Sequence, residues 1–339
     1  MTSYGDAGVD LEAAEAVVAG IRTDVTRTWH DRVVGGFGGF AAGIRLPAGF
    51  ADPVLMMSTD GVGTKAEVAR KADRLEGIGW DLVAMCVDDI AAAGACPIAL
   101  TDYLSVGHID VERVARIVAS VADACAAAGV ALLGGETAEH PGVLAGDAFD
   151  LAGAALGVVE RGREVDGSAI RPGDAVVALA SPNLRSNGFS LVRAAVLSRL
   201  SLDDELPNTG RTVAEVVLEP SVLYSPTVQD LLTRCTVHGM AHITGGGLPG
   251  NVARILPAGC DAVIDTAAWA PPAVFEAVAQ LGGTPHDEMF RTFNMGVGFV
   301  VVVDPPDVAT VISAAGDRGR DAFVIGEVTA GTGRAILSP

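Results

Sequence analysis

Pro53-Val54-Leu55-Met56-Met57-Ser58, running into Thr59-Asp60-Gly61-Val62-Gly63-Thr64-Lys65, is the stretch that decides the fold class. Its first six residues are a short apolar run that reads as a buried strand, and the glycines that follow read as a turn into a helix. The pattern recurs. Val130–Leu133 is an expected strand ending in Gly134-Gly135-Glu136-Thr137, and Ala175–Ala180 leads through the turn Ser186-Asn187-Gly188 to an expected helix over Ser190–Leu200. Elsewhere the spacing predicts helices over Val9–Ile21, Trp80–Ala93 and Asp110–Ala128, the last capped by Asp110 and closed near Gly129. Strands are expected at Ile98–Val106 and Leu151–Glu160. Alternation of this kind gives α/β or α+β layers but no strand order.

The 339 residues suffice for two domains, each with its own core. Charged and turn residues cluster in Arg161–Gly173, so domains of 1–165 and 170–339 are expected. Half of the residues are hydrophobic, but no charge-free apolar run reaches about 18 residues, so no membrane span is expected. Met1–Asp10 lacks the basic and apolar regions of a secretory signal. The net charge of −19 argues against nucleic-acid or anionic-membrane partners, which need clustered Lys and Arg. An acidic protein that binds phosphates must gather its cations, or recruit metal ions, at one place. Five cysteines with no CxxC pair read as reduced, mostly structural thiols in a cytoplasm.

Four constellations carry chemistry. In Ser58–Lys65, Asp60 at a strand end can hold Mg²⁺, while the glycines and Lys65 can hold phosphate; the alternative is a plain strand–turn–helix connection. Lys65 is one of only two lysines, beside Lys71, which favours a role for a compact ammonium. Asp88-Asp89 sits in an apolar helix, where two carboxylates must face water, a cation or a helix end. Asp89 and Asp102 are candidate metal ligands beside Asp60. Gly134-Gly135-Glu136-Thr137 offers another strand-end carboxylate. In the second half, Ser186-Asn187-Gly188-Phe189-Ser190 with Arg193, and His242-Ile243-Thr244-Gly245-Gly246-Gly247, are loops whose N–H groups can take an anion. His242 is either a proton-transfer group or a structural histidine. Arg291, ahead of Asn294, either binds phosphate or pairs with Glu288.

In this order the segments resemble the aminoimidazole ribonucleotide synthetase family. The stretches that carry the resemblance are Ser3-Tyr4 with Ala7–Asp10, GGFGGF at 35–40, STDGVGTK at 58–65, DLVAMCVDD at 81–89, GGETAEHPG at 134–142, SNGFSLVR at 186–193, AHITGGG at 241–247 and EMFRTFNMGVG at 288–298. The resemblance implies a homodimer in which N-terminal strands of two subunits share a barrel, with a C-terminal α/β domain packed outside and ATP between the domains. It implies a phosphoribosyl substrate, formylglycinamidine ribonucleotide, whose formyl oxygen is phosphorylated by ATP before an imidazole ring closes. It implies Mg²⁺ and nucleotide at Asp60, Asp89, Asp102 and Glu136. Phosphate is implied at Lys65 and at Gly35, Gly36, Gly38 and Gly39, with Thr59, Gly61, Gly63, Thr64 and Thr137 alongside. Substrate contacts are implied at Arg185, Ser186, Asn187, Gly188, Ser190, Arg193, His242, Thr244, Gly245, Gly246, Gly247, Arg291 and Asn294, with Lys65, His242 and Asn187 closest to the chemistry. Three segments depart from the family pattern. Arg185 stands where His is usual, Ser221-Val222 where Thr-Arg is usual, and Asp88 where Asn is usual. The first two bear on anion contacts, so a paralogue acting on another amide or formamide is the second reading, and a nucleotide-binding regulator without catalysis the third.

Overall fold

The computed structural model describes residues 11–338; the expectations placed on Met1–Asp10 lie outside the described residues. The chain divides into two compact units, Met1–Ile90 with Cys96–Arg161, and Ala91–Ala95 with Gly162–Pro339.

The first unit runs α1 (Leu11–Thr26), β1 (Val33–Val34), β2 (Gly43–Ile44), β3 (Pro53–Gly61), α2 (Lys65–Ala72), α3 (Ile78–Ala92), β4 (Cys96–Val106), α4 (Val111–Ala128), β5 (Ala131–Glu139) and β6 (Phe149–Glu160). Its main sheet has the order β3-β6-β4-β5. Only β4 and β5 are parallel, and α4 supplies the crossover that a parallel pair requires. Helix α4 begins where Asp110 accepts a hydrogen bond from the Arg113 N–H at 3.0 Å and stops at Gly129, whose φ of 70° suits glycine. Two strands run further than their local sequence implies. β3 continues through Asp60-Gly61 and β5 through Gly134–Glu139, both read from sequence as turns. Cross-strand partners outweigh glycine's turn preference here: Asp60 pairs with Gly153, and Gly135 with Asp102. Alternation along β3 leaves Leu55 and Met57 54% and 72% exposed on one face, with Tyr103 of β4 42% exposed.

The second unit runs β7 (Ala175–Ala180), α5 (Phe189–Ala195), α6 (Val213–Val217), α7 (Ser225–Arg234), β8 (Val237–His242), α8 (Gly247–Ala253), β9 (Cys260–Asp265), α9 (Ala273–Gly282), α10 (His286–Thr292), β10 (Val297–Val303), α11 (Val308–Gly316), β11 (Ala322–Ala330) and β12 (Ala335–Ser338). The six-stranded sheet has the order β12-β9-β11-β7-β10-β8. Continuous apolar runs mark its centre: VGFVVVV in β10 is buried throughout and AVVALA in β7 at all but its last residue, as strands covered on both faces should be. Val177, Leu179, Phe299 and Val301 pack with Val228 and Leu231 of α7 and Val311 of α11; α8 packs on β8 and β9. Helix α5 is shorter than the expected Ser190–Leu200. The Leu197 N–H reaches back five residues to the Val192 carbonyl at 3.3 Å, and the helix loosens into turns.

Candidate active site

A row of paired residues crosses the first sheet. Asp60 of β3 and Asp102 of β4 both face Gly153 of β6, and Asp102 faces Gly135 of β5. Directly opposed residues share a face, so both carboxylates rise from one side of the sheet, two strands or about 10 Å apart. The glycines clear the space. A Cβ at Gly135 would lie 1.9 Å from Asp102 Oδ1, and one at Gly153 would touch Leu82 of α3 at 3.3 Å. Asp60 Oδ1 accepts the Gly61 N–H at 2.7 Å, and Asp89 Oδ2 of α3 accepts the Ser58 hydroxyl at 3.1 Å. Burial pushes the Asp102 carboxyl up to about 7 because its anion lacks solvation. Cys86, between Asp60 and Gly153, is raised to about 12 by burial, followed by the charges of Asp60 and Asp89. It is no nucleophile at neutral pH.

Beside this row lies a cavity of about 590 Å³. Val17, Val18 and Ile21 of α1 give it an apolar wall, and Gly36, Gly38 and Gly39 form another side; Asp102, Gly135, Glu136 and Thr137 complete it. The glycine-rich segment is the loop of the β1–β2 hairpin, and Arg22 of α1 stacks on its Phe37 at 4.7 Å. The amphipathic spacing over Val9–Ile21 announced helix α1, but that its apolar face walls a cavity, the part played by Gly153 and the Arg22–Phe37 contact are visible only in the structure. Among the described residues, neither Lys nor Arg lines this cavity. The structure thus brings Gly36, Gly38, Gly39, Asp102, Glu136 and Thr137 to the lining of one cavity, with Asp60 farther along the sheet and Asp89 on α3. Glu136 is exposed and opposes Tyr103, one register step from Asp102 and therefore directed to the other face. Thr59 alternates with Asp60 and shares the exposed face of Met57. Gly63 (φ 67°) and Thr64 form an exposed loop after β3. The N–H groups of Gly61 and Val62 are taken by Asp60 Oδ1 and the Leu151 carbonyl, so this loop offers fewer open donors than its sequence implies.

In the second unit, β7, β10 and β8 are neighbours, and the loops after β7, before β10 and after β8 meet at one end of the sheet. Asn294 is buried there, donating to the Asn183 carbonyl at 3.0 Å and accepting the Gly296 N–H at 2.8 Å. Asn187 Oδ1 lies against Gly245, 3.7 Å from where a Cβ would sit. A side chain on Gly188 would strike Phe293, and one on Gly247 the Phe290 carbonyl. Asn251 donates to the carbonyls of Thr244, Gly245 and Gly247 and fixes the triple-glycine loop. Ser186, Asn187, Gly188, Thr244, Gly245, Gly246, Gly247 and Asn294 are therefore brought together. Ser190 and Arg193 lie exposed on α5, and Arg291, exposed on α10, forms no ion pair with Glu288 among the described residues. At the opposite end of the same strands, His238 Nδ1 is 2.8 Å from Asp174 and its Nε2 3.8 Å from Asp304. Arg171 Nη2 already reaches both Asp304 oxygens at 2.6 Å, so this cluster fastens strand ends.

Residues 40–159 match the family described as AIR synthase related protein, N-terminal domain, and residues 171–337 match its C-terminal domain. The chain belongs to the AIR synthase family. It is 47% identical, over 98% of its length and 97% of the relative's, to a phosphoribosylformylglycinamidine cyclo-ligase of Anaeromyxobacter sp. (strain Fw109-5). A protein of the same name from Myxococcus xanthus (strain DK1622) is 46% identical over 100% and 99% of the two chains. Among solved structures, thiamine-monophosphate kinase from Stenotrophomonas maltophilia K279a shares the fold at TM-score 0.71 and 18% identity, covering 95% of this chain and 96% of that one. The hydrogenase maturation protein HypE in complex with ATP does so at 0.70 and 19%, covering 98% and 93%.

Three residues named from the sequence lie deeper than their motifs imply. Lys65 is turned into the core. It is 1% exposed, with Nζ 2.8 Å from both Asp81 oxygens, because as the first residue of α2 its side chain points into the core. Arg185 is not at the surface of the substrate loop. It is fully buried at φ 58° and donates to the carbonyls of Gly298 and Val222, each at 3.2 Å, with its guanidinium 4.8 Å from the Tyr224 ring centre. The departures at 185 and 222 are thus neighbours in space. Arg185→His should destabilise the protein by roughly 2 kcal/mol in urea unfolding, through two lost hydrogen bonds and a cation–π contact. Raised turnover at unchanged stability would instead return Arg185 to the substrate. His242 is 5% exposed and stacked on Phe299 at 6.2 Å, in the core at the end of β8.

Proposed function

We propose that this protein closes the imidazole ring of aminoimidazole ribonucleotide from formylglycinamidine ribonucleotide, using ATP, as a step of purine biosynthesis. The observation that carries this reading is the likeness, at 47% identity over nearly the full length of both chains, to a protein named for that reaction. Arg185 and Val222, the departures that favoured a paralogue, are accounted for by packing. The retained Asp60–Asp102 row leaves no reason to prefer a regulator.

The formyl oxygen of the substrate attacks the γ-phosphorus of ATP and ADP leaves. The resulting iminophosphate carries a phosphate leaving group on the former formyl carbon. An amidine-side nitrogen attacks that carbon, phosphate departs with the oxygen, and loss of a proton completes the ring. The chain's share is placement and charge control. ATP phosphates beside Asp102, in a cavity whose described lining holds no Lys or Arg, require a cation. Asp60, Asp89 and Asp102, on the side of the sheet that α3 covers, each offer a carboxylate to Mg²⁺, a hard ion that takes one or two carboxylates together with phosphate oxygens, whereas Glu136 is directed to the other face. When bound, Mg²⁺ would neutralise charge on the transferring phosphoryl group. Gly36, Gly38 and Gly39, with Thr137, allow close approach of the nucleotide, and the apolar face of α1 suits its base. Gly63 and Thr64 lie on an exposed loop that a phosphate oxygen can approach. Asn187, Ser186 and the Gly245–Gly247 loop suit the ribose phosphate of the substrate through side-chain and main-chain donors.

The exposed Leu55, Met57 and Tyr103 face suits a second copy of the chain in a homodimer; a monomer in sedimentation equilibrium at micromolar concentration would remove this element. Free cysteines throughout suit a reducing cytoplasm. The deciding experiment is incubation of purified protein with Mg²⁺, ATP and formylglycinamidine ribonucleotide, following phosphate release and the aminoimidazole product together. Both should appear in equal amounts, at about 1 s⁻¹ or faster. ATP hydrolysis without that product would move the reading to another formamide.

A further inference from the structure

The Lys65–Asp81 pair is the most deeply buried ion pair among the described residues, at 1% and 0% exposure. It links the first residue of α2 to the first turn of α3. Eight residues along α3, about 12 Å at 1.5 Å per residue, Asp89 Oδ2 holds the Ser58 hydroxyl of β3 at 3.1 Å. Between these fastenings Cys86 Sγ lies 4.0 Å from the Asp60 carbonyl. Helix α3 therefore grips the end of β3 on one side and the start of α2 on the other. The segment spanned by the two grips holds Asp60, Gly61, Gly63 and Thr64.

We infer that Lys65 and Asp81 are a pair of positioning residues that hold the Asp60–Thr64 segment in register for the nucleotide, and that Lys65 does not itself contact phosphate. This rests on the nucleotide reading above. The physical ground is the cost of separation. Drawing the ammonium out to a phosphate would leave the Asp81 carboxylate buried without its counter-charge, a change far more costly than keeping the pair. A lysine suits the position because its single compact charge fits where a broad guanidinium would not.

The test compares single and double substitutions by steady-state kinetics and thermal unfolding. Lys65→Met and Asp81→Leu, each alone, strand one buried charge and should lower the Tm by roughly 10 °C. The double variant Lys65→Met/Asp81→Leu replaces the pair by apolar groups of similar volume and should recover most of that loss. Its kcat should stay within about 3-fold of the parent while KM for ATP rises about 5-fold or more, the signature of a less well-held binding segment. A folded double variant whose kcat falls about 100-fold at unchanged KM would make Lys65 a transition-state contact and overturn the inference. Unchanged kcat and KM would reduce the pair to a fold element and overturn it equally.

Amine labelling of the unaltered protein tests the same point without any variant. With two lysines in the chain, acylation read by peptide mass should modify the exposed Lys71, while Lys65 reacts about 100-fold more slowly with or without Mg²⁺–ATP. Ready labelling of Lys65 that ATP suppresses would overturn the inference. Parent protein that fails to turn over ATP would sink the nucleotide reading, and the labelling result would still report whether Lys65 leaves Asp81.

Discussion

Asp60→Asn should lower Mg²⁺–ATP-dependent turnover by about 10²–10³-fold, the order lost when one electrostatic contact to a transition state is removed, with a Tm within a few degrees of the parent. Asparagine is nearly isosteric, and its amide oxygen can still accept the Gly61 N–H that Asp60 Oδ1 holds at 2.7 Å. What it removes is the negative charge at the strand end, which the proposed cation needs. Stopped-flow phosphate release and differential scanning calorimetry on one preparation separate the two effects. Parental turnover in the folded variant would take Asp60 out of the metal site.

Asp102→Asn should separate function from stability. Its carboxyl is pushed up to about 7 from an ordinary 3.8, so in the metal-free protein the folded state holds a proton that the unfolded chain releases between those values. Stability attributable to this group is therefore full below about pH 4 and declines as pH rises to about 7. The gap corresponds to at most about 4 kcal/mol. The side of the cavity is open to solvent, which brings the expected penalty to about 1–2 kcal/mol. Asparagine carries no charge to desolvate. The variant should be more stable than the parent by that amount at pH 8 without metal, and equal to it at pH 4, while losing most ATP turnover. Mg²⁺ should raise the parent's Tm at pH 8 and leave the variant's nearly unchanged. Urea unfolding at the two pH values, with and without Mg²⁺, checks each arm. Equal stabilities at pH 8 would mean that the carboxylate is solvated in place, and its link to a cation would lose its physical basis.

On the proposed reading, the two carboxylates reconcile an acidic composition with phosphate chemistry. The described lining of the cavity holds no cationic side chain, so charge neutralisation would fall to metal ions held by carboxylates on a rigid sheet. Glycine spacing makes this possible. Gly135 exists in the space Asp102 needs, and Gly153 separates the two acids by one bare strand.

Most elements were legible because their signals are local. The Asp110 cap, the Gly129 stop and the apolar runs of β7 and β10 depend on residues within a turn or two, and the segment order carried the family. Where strands end was less legible. Asp60-Gly61 and Gly134–Glu139 read as turns because glycine's preference is local, but the ladder partners Gly153 and Asp102 come from elsewhere in the chain and extend both strands. The side-chain assignments diverged for the same reason. Motif membership placed Lys65 on a phosphate and Arg185 on the substrate. Burial against Asp81 in one case, and against Tyr224, Gly298 and Val222 in the other, was decided by contacts 16 to 113 residues apart. The sequence by itself determined the class of fold, the family and which acidic residues are candidates for a nucleotide site. Which of those residues share a face, and which charges are held in the core, was decided by tertiary structure, because burial and register depend on what the rest of the chain brings alongside.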